Sequence, residues 1–217
     1  MKKADTMLTF FFWTVLALVI FIPTTLWASQ FFKLGNKTLD TYYKLVENVV
    51  SIKDGETLSL PFYMEKNTFI VGFAKVSDKF ENHAYKYVAI EPTEIAYIFN
   101  RPSKCSNGKA CICACVDMSF DQKTKPYSVA CNKEPICANF DSIDFVSEKI
   151  IKKDADKPLV SWKGGFIISK GTPIEGLNLL QPASTTVYVE RYTNLVDVCF
   201  SRPCITTETI QKTTQIQ

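Results

Sequence analysis

Residues 108–116 read GKACICACV, and the alternation of cysteine with Ala or Ile is the period-two pattern of a buried strand. On a strand over 110–116, Cys111, Cys113 and Cys115 project from one face, because successive side chains point to opposite sides. Neighbours on that face lie ~6.6 Å apart along the chain, beyond the ~3.5–4.5 Å Cβ separation that a disulfide needs. Each of the three must therefore reach a cysteine on another strand or loop. The available partners are Cys105, Cys131, Cys137, Cys199 and Cys204, and the pairs Cys131/Cys137 and Cys199/Cys204 can also close small local loops. Just upstream, Ser106-Asn107-Gly108 is a good turn sequence for a hairpin tip, which Lys104 and Lys109 would solubilise.

The eight cysteines are separated by gaps of 5, 1, 1, 15, 5, 61 and 4 residues, so no C-x-x-C is present. Structural zinc sites usually pair ligands two to four residues apart, and thioredoxin-like centres use C-x-x-C, so both standard signatures are missing. An even count in an exported chain points to structural disulfides, although eight cysteines allow 105 pairings and the spacing does not choose among them. The alternative is a thiol-based metal or redox protein using Cys111, Cys113 and Cys115, with the two lysines lowering a thiol pKa.

Outward from this segment, the pattern stays β. Leu58, Leu60 and Phe62 alternate with polar residues, Pro61 marks an edge strand, and 68–76 is β-branched and aromatic. Runs at 85–90, 94–99, 143–151, 159–168, 186–192 and 196–200 are short and bounded by Gly, Pro or Asp. The expected fold class is mainly β, a disulfide-braced sandwich or barrel-like domain over residues 57–205, with a flexible tail over 206–217.

The N-terminal part differs. No charged side chain occurs from Thr6 to Phe32, and Met7–Ala28 (MLTFFFWTVLALVIFIPTTLWA) supplies about the ~20 apolar residues that cross a bilayer. Leu26-Trp27-Ala28 lacks the small-x-small site of a cleaved signal, so a retained single-pass anchor is expected, with residues 1–6 cytoplasmic and Pro23 kinking or ending the helix. Lys2 and Lys3 are outnumbered by Lys33, Lys37 and Lys44, so the basic residues alone do not orient the span. The cysteine usage does, putting residues 29–217 on the oxidising side of the cell membrane. Within 29–56, Leu39, Tyr43, Val46 and Val50 share one face of an amphipathic helix over about 36–50, expected to dock on the domain core and to end at Asp54-Gly55.

The 25 basic and 22 acidic residues nearly cancel, which excludes a nucleic-acid footprint. The 47% hydrophobic content excludes a mainly disordered chain. Asp141, Asp144 and Glu148 lack calcium-loop spacing, and Gly164-Gly165 matches no phosphate-binding pattern. No catalytic, cofactor-binding or metal residue is assigned and no cofactor is expected. The expected partners are the membrane, crossed once, and a protein partner or second copy on the outer side. The chain is read as a structural or interaction protein and not as an enzyme.

Three resemblances bear on this reading. Lys3-Ala4-Asp5-Thr6, directly before the apolar run, resembles the leader cut by archaeal prepilin peptidases, which implies a pilin-like surface subunit processed after Ala4. The anchor, the ensuing helix and the Gly108–Cys115 run together resemble uncharacterised membrane-anchored proteins of small-genome archaea, a group that implies no activity. Leu195-Val196-Asp197-Val198-Cys199 loosely resembles the cysteine-bearing strand of sortases, which implies Cys199 as nucleophile with His83, the only histidine, and Arg202. Arg202 falls closer to Cys199 than the sortase spacing, and Cys204 is available to bond Cys199, so His83 is read as a solvated loop residue.

Overall fold

A computed structural model of the chain describes residues 13–16, 19, 36–65, 67–88, 91–121, 125–154, 157–169, 186–200 and 202–204. Residues 1–37 and 38–217 are two compact units. In the first, residues 13–16 and 19 are helical and expose Trp13, Val15, Leu16 and Val19. The remainder of the expected span 7–28, the N-terminus 1–6 and the tail 206–217 lie outside the described residues. Among the described residues no helix is long and apolar enough to cross a membrane.

The second unit is mainly β. Helix α1 (Asn36–Ser51) leads into β1 (Thr57–Pro61), β2 (Phe69–Phe73), β3 (Lys79–Val88), β4 (Glu91–Asn100) and β5 (Ala110–Cys115). There follow β6 (Met118–Asp121), β7 (Tyr127–Cys131), β8 (Ile136–Phe140), β9 (Asp144–Phe145) and β10 (Glu148–Asp154). The last strands are β11 (Lys157–Lys163), β12 (Gly165–Ser169), β13 (Thr186–Tyr192) and β14 (Leu195–Cys199). They form three sheets, ordered β1-β13-β14-β9, β10-β11-β3-β4-β7-β6 and β12-β2-β5-β8. As Pro61 requires, β1 is an edge strand. Most pairings are antiparallel, with β4/β7 and β14/β9 parallel.

Every residue of β2, β5, β12 and β14 is buried, in keeping with their apolar composition, with Asp197 in β14 and Ser169 in β12 the polar residues among them. In β3, by contrast, Phe80, Asn82 and Ala84 are buried while Glu81 and His83 are half-buried, the alternation of a one-sided strand. Edge-to-face aromatic pairs join side chains of different sheets, Phe69 with Phe99 and Phe145 with Phe166, and a further pair, Phe80 with Trp162, joins the neighbouring strands β3 and β11.

The run 159–168, read above as one strand, is two. Gly164 and Gly165 have φ of +91° and +141°, and a Cβ on them would lie 2.2 Å from Lys79 O and 2.0 Å from Gly72 O. Only a residue without a side chain lets the chain leave β11, paired with β3, and continue as β12, paired with β2. The run 143–151 likewise divides into β9 and β10, which belong to different sheets. Pro92, the proline between the runs 85–90 and 94–99, lies inside β4 and does not bound it.

α1 packs on the domain core as expected, but through a different face. The buried residues are Thr38, Thr41, Tyr42, Leu45 and Val49, whereas Tyr43 is 55% and Val50 66% exposed, with Leu39 and Val46 between. Both stripes have helical spacing. The inner one wins because its hydroxyls find partners: Thr38 meets Thr68 at 3.0 Å, Thr41 donates to Tyr63 O at 2.7 Å and Tyr42 to Ile112 O at 3.4 Å. Burial, with a smaller contribution from neighbouring Tyr43, pushes the Tyr42 phenol up to about 12. At the far end Gly55 adopts φ +74° and Arg191 Nη1 donates to Ile52 O at 3.0 Å, just past the last turn.

One ion pair sits deep in this interior. Asp197, 3% exposed in the middle of β14, is met by Lys149 Nζ from β10. Burial raises the Asp197 carboxyl from 3.8 to about 6, against the pull of Lys149 and of the Val198 N–H. The folded chain therefore holds a proton where the unfolded chain has released it, and stability falls as pH rises through that interval.

Two outcomes follow. Gly165→Ala should lower unfolding free energy by at least ~2 kcal/mol in chemical denaturation, since the left-hand backbone and the Gly72 carbonyl both oppose a methyl group. For the wild type, stability should decline by about 1–3 kcal/mol between about pH 4 and pH 6, and Asp197→Asn should remove that slope whatever its effect on absolute stability.

Candidate functional site

The cysteine cluster is built on β5. Its Cys111, Cys113 and Cys115 do share one face and each reaches a different element, as the alternation requires. Cys111 bonds Cys105 in the loop before β5, Cys113 bonds Cys137 on β8, and Cys115 bonds Cys131 at the end of β7. Cys199 closes a small loop with Cys204. No cysteine is free. The local Cys131/Cys137 loop does not form, because Cys131 is bonded to Cys115 and Cys137 to Cys113.

Register explains the pairing. Cys113 stands directly opposite Cys137 in the β5/β8 ladder with Cα atoms 4.1 Å apart, the close approach of facing antiparallel residues. Cys115, at the end of β5, ties that sheet to the six-stranded one through Cys131.

Two of these disulfides are packed against each other. Cys113 Sγ lies 3.2 Å from Cys105 Sγ and 3.5 Å from Cys111 Sγ. Together with Cys137 they make a group of four sulfurs all within 4.8 Å of one another, with Cys105, Cys111 and Cys113 buried and Cys137 half-buried. Cys115, one of the three residues of the sequence-level metal or redox alternative, is not a member of this group, and Cys105 and Cys137 are. No spacing rule reports that set, because it depends on the strand register and on a loop folding back.

That loop is held independently of sulfur. Arg101 donates to Ala74 O at 2.9 Å, Ser77 O at 3.0 Å and Ser106 O at 3.0 Å, and also to Lys109 O. Asn139 Oδ1 accepts from the Ser106 N–H at 2.8 Å, and its Nδ2 donates to Lys104 O at 3.0 Å. Desolvation lowers the Arg101 pKa, partly offset by Asp78 and Asp144, and a guanidinium remains charged in any such setting. Lys104 and Lys109 pair with Glu134 and Asp141 at 3.0 Å on the exposed rim, where such pairs contribute little and mainly solubilise the turn.

His83 lies on β3 rather than in a loop, 27% exposed, with Nε2 3.2 Å from Glu81 Oε2. The Glu81 carboxyl is held low first by Lys79, then by His83, with burial opposing. The sortase-like arrangement is not assembled in the oxidised chain, since Cys199 is bonded to Cys204. Asp144 accepts the Lys75 and Phe145 N–H groups at 2.8 Å and so serves local structure. Sequence reading missed the buried Asp197–Lys149 pair, although a carboxylate inside the apolar run LVDVC was its signal.

Digestion of the unreduced protein followed by peptide mass analysis should recover the links Cys105–Cys111, Cys113–Cys137, Cys115–Cys131 and Cys199–Cys204. Recovery of a Cys131–Cys137 link would contradict the β5/β8 register.

Comparison with protein-family models, with curated protein sequences and with solved structures returned no match.

Proposed function

We propose that the chain is a membrane-anchored extracytoplasmic protein whose role is structural or interactive. The observation that carries this reading is that all eight cysteines are consumed by four disulfides, which persist in oxidising surroundings and not in a reducing cytosol. The uncharged apolar run Met7–Ala28 is the natural anchor, a single-pass transmembrane helix that leaves the β domain, sandwich or barrel-like, on the outer side of the cell membrane. The exposed Trp13, Val15, Leu16 and Val19 on helical residues are consistent with side chains that meet lipid.

An interactive role is favoured over catalysis by the fate of the candidate nucleophiles. The thiols are bonded and His83 meets Glu81, so the pairing of base and sulfur that thiol catalysis requires is not assembled. Tyr43, Val50 and Tyr63 supply exposed apolar surface of the kind interaction modules carry.

The test is cell fractionation with protease added outside intact cells. The protein should stay with membranes through alkaline carbonate washing, lose its β domain to external protease, and become freely soluble when residues 7–28 are deleted. Retention in the cytosol, or protection from external protease, would overturn the reading. Intact mass of the membrane-extracted chain reports the N-terminus, and loss of residues 1–4 would favour a pilin-like subunit over a plain anchor.

A further inference from the structure

The grouping of four sulfurs around one point is more than two disulfides need. A disulfide constrains two sulfurs; nothing in its chemistry brings a second disulfide into contact with it. Here Cys113 Sγ touches both sulfurs of the other bond, at 3.2 Å and 3.5 Å, and the whole set of Cys105, Cys111, Cys113 and Cys137 spans no more than 4.8 Å. A tetrahedral tetrathiolate around zinc has metal–sulfur bonds of ~2.3 Å, hence sulfur–sulfur edges of about 3.8 Å. The set therefore has the size of such a site, with its bonded members needing to part and its stacked members nearly in place.

We propose that these four cysteines, once reduced, bind one soft divalent cation of the zinc class as a tetrathiolate, so that the cluster has an oxidised two-disulfide state and a reduced metal state. The balance is simple. Each disulfide accepts two electrons and two protons from a dithiol, which leaves as its own disulfide, and the metal ion then displaces the four thiol protons.

Three features keep the ligands together after the sulfur–sulfur bonds are cut. Cys111, Cys113 and Cys137 are positioned by the β5/β8 ladder, which pairs residues 110–114 with 136–140 through backbone hydrogen bonds that involve no sulfur. Cys105 is held by the Arg101 fork and by Asn139 through Ser106 and Lys104, bonds that involve no sulfur. Four thiolates around a divalent ion carry a net charge of about −2. Arg101, whose guanidinium donates to Ser106 O beside Cys105, offers one positive charge toward it, while Lys104 and Lys109 are paired with Glu134 and Asp141. The half-buried Cys137 gives a reductant its approach. The other two disulfides share none of this, since Cys115–Cys131 and Cys199–Cys204 each lie outside the four-sulfur group.

The experiment uses the full chain in detergent, reduced with a dithiol, desalted without oxygen and titrated with cobalt(II), then zinc(II). Uptake of one cobalt per chain is expected, with thiolate-to-metal charge-transfer absorption and the d–d bands of a tetrahedral site, bleached by one equivalent of zinc. Bound zinc should slow alkylation of Cys105, Cys111, Cys113 and Cys137 at least tenfold, leaving Cys115, Cys131, Cys199 and Cys204 reactive. Cys113→Ser/Cys137→Ser should abolish uptake and Cys115→Ser/Cys131→Ser should preserve it. The proposal is overturned if the reduced chain, folded or unfolded, takes up no stoichiometric metal, if protection spreads over all eight cysteines, or if the oxidised chain binds equally well.

Discussion

Burial of β5 on both faces is the constraint from which the rest of the domain follows. A strand with no exposed residue must have every backbone group paired and both faces covered, and β5 meets this by lying between β2 and β8. Its carbonyl at Ile112 also receives the Tyr42 hydroxyl, which brings α1 to the same strand. On its cysteine face it is fastened to a loop, to its own neighbour and to the six-stranded sheet. A single six-residue segment thus anchors the helix and two of the sheets. Packing supplies the proximity and the disulfides fix it, chiefly by restricting the unfolded chain.

The other constraint is the corner at Gly164-Gly165. Because β11 and β12 are consecutive yet belong to different sheets, the backbone must turn while passing within contact of β2 and β3. A bend of this kind lets one long hydrophobic run serve two layers and avoids a loop that would bury unpaired amides. The Asp197–Lys149 pair spans β14 and β10, strands of two different sheets, through a charged contact in the interior. Such a pair adds little net stability relative to apolar packing of the same volume, whereas removing one partner leaves a buried charge uncompensated.

What was legible in the sequence was local. The strand over 186–192 and the turn at 106–108 follow from alternation and turn chemistry alone, as does the helix stop at Asp54-Gly55. Gly164-Gly165 was visible too, but a search for phosphate-binding patterns does not interpret a glycine pair inside an apolar run; contact between strands far apart in sequence does. The face of α1 was misassigned because Leu39, Tyr43, Val46 and Val50 fit the helical period as well as the true inner stripe. The deciding partners, Thr68 and Tyr63, belong to another part of the chain. The cysteine pairing needed the β5/β8 register, and Lys149 lies 48 residues from Asp197, so both depended on tertiary structure.

The pairing of β1 with β13 also governs the order in which the chain can acquire its structure. Thr57 and Glu190 are hydrogen-bonded neighbours separated by 133 residues, and the carbonyl of Ile52 waits for Arg191. A ribosome releases residue 57 long before residue 190, so for most of synthesis the first strand has no partner and the end of α1 lacks its cap. The sheet closes late and all at once, a high-contact-order arrangement in which early hydrophobic segments stay exposed until the C-terminal hairpin arrives. Chains truncated before β13 would leave β1 without its neighbour, and an unpaired strand of this kind is open to pairing with other chains.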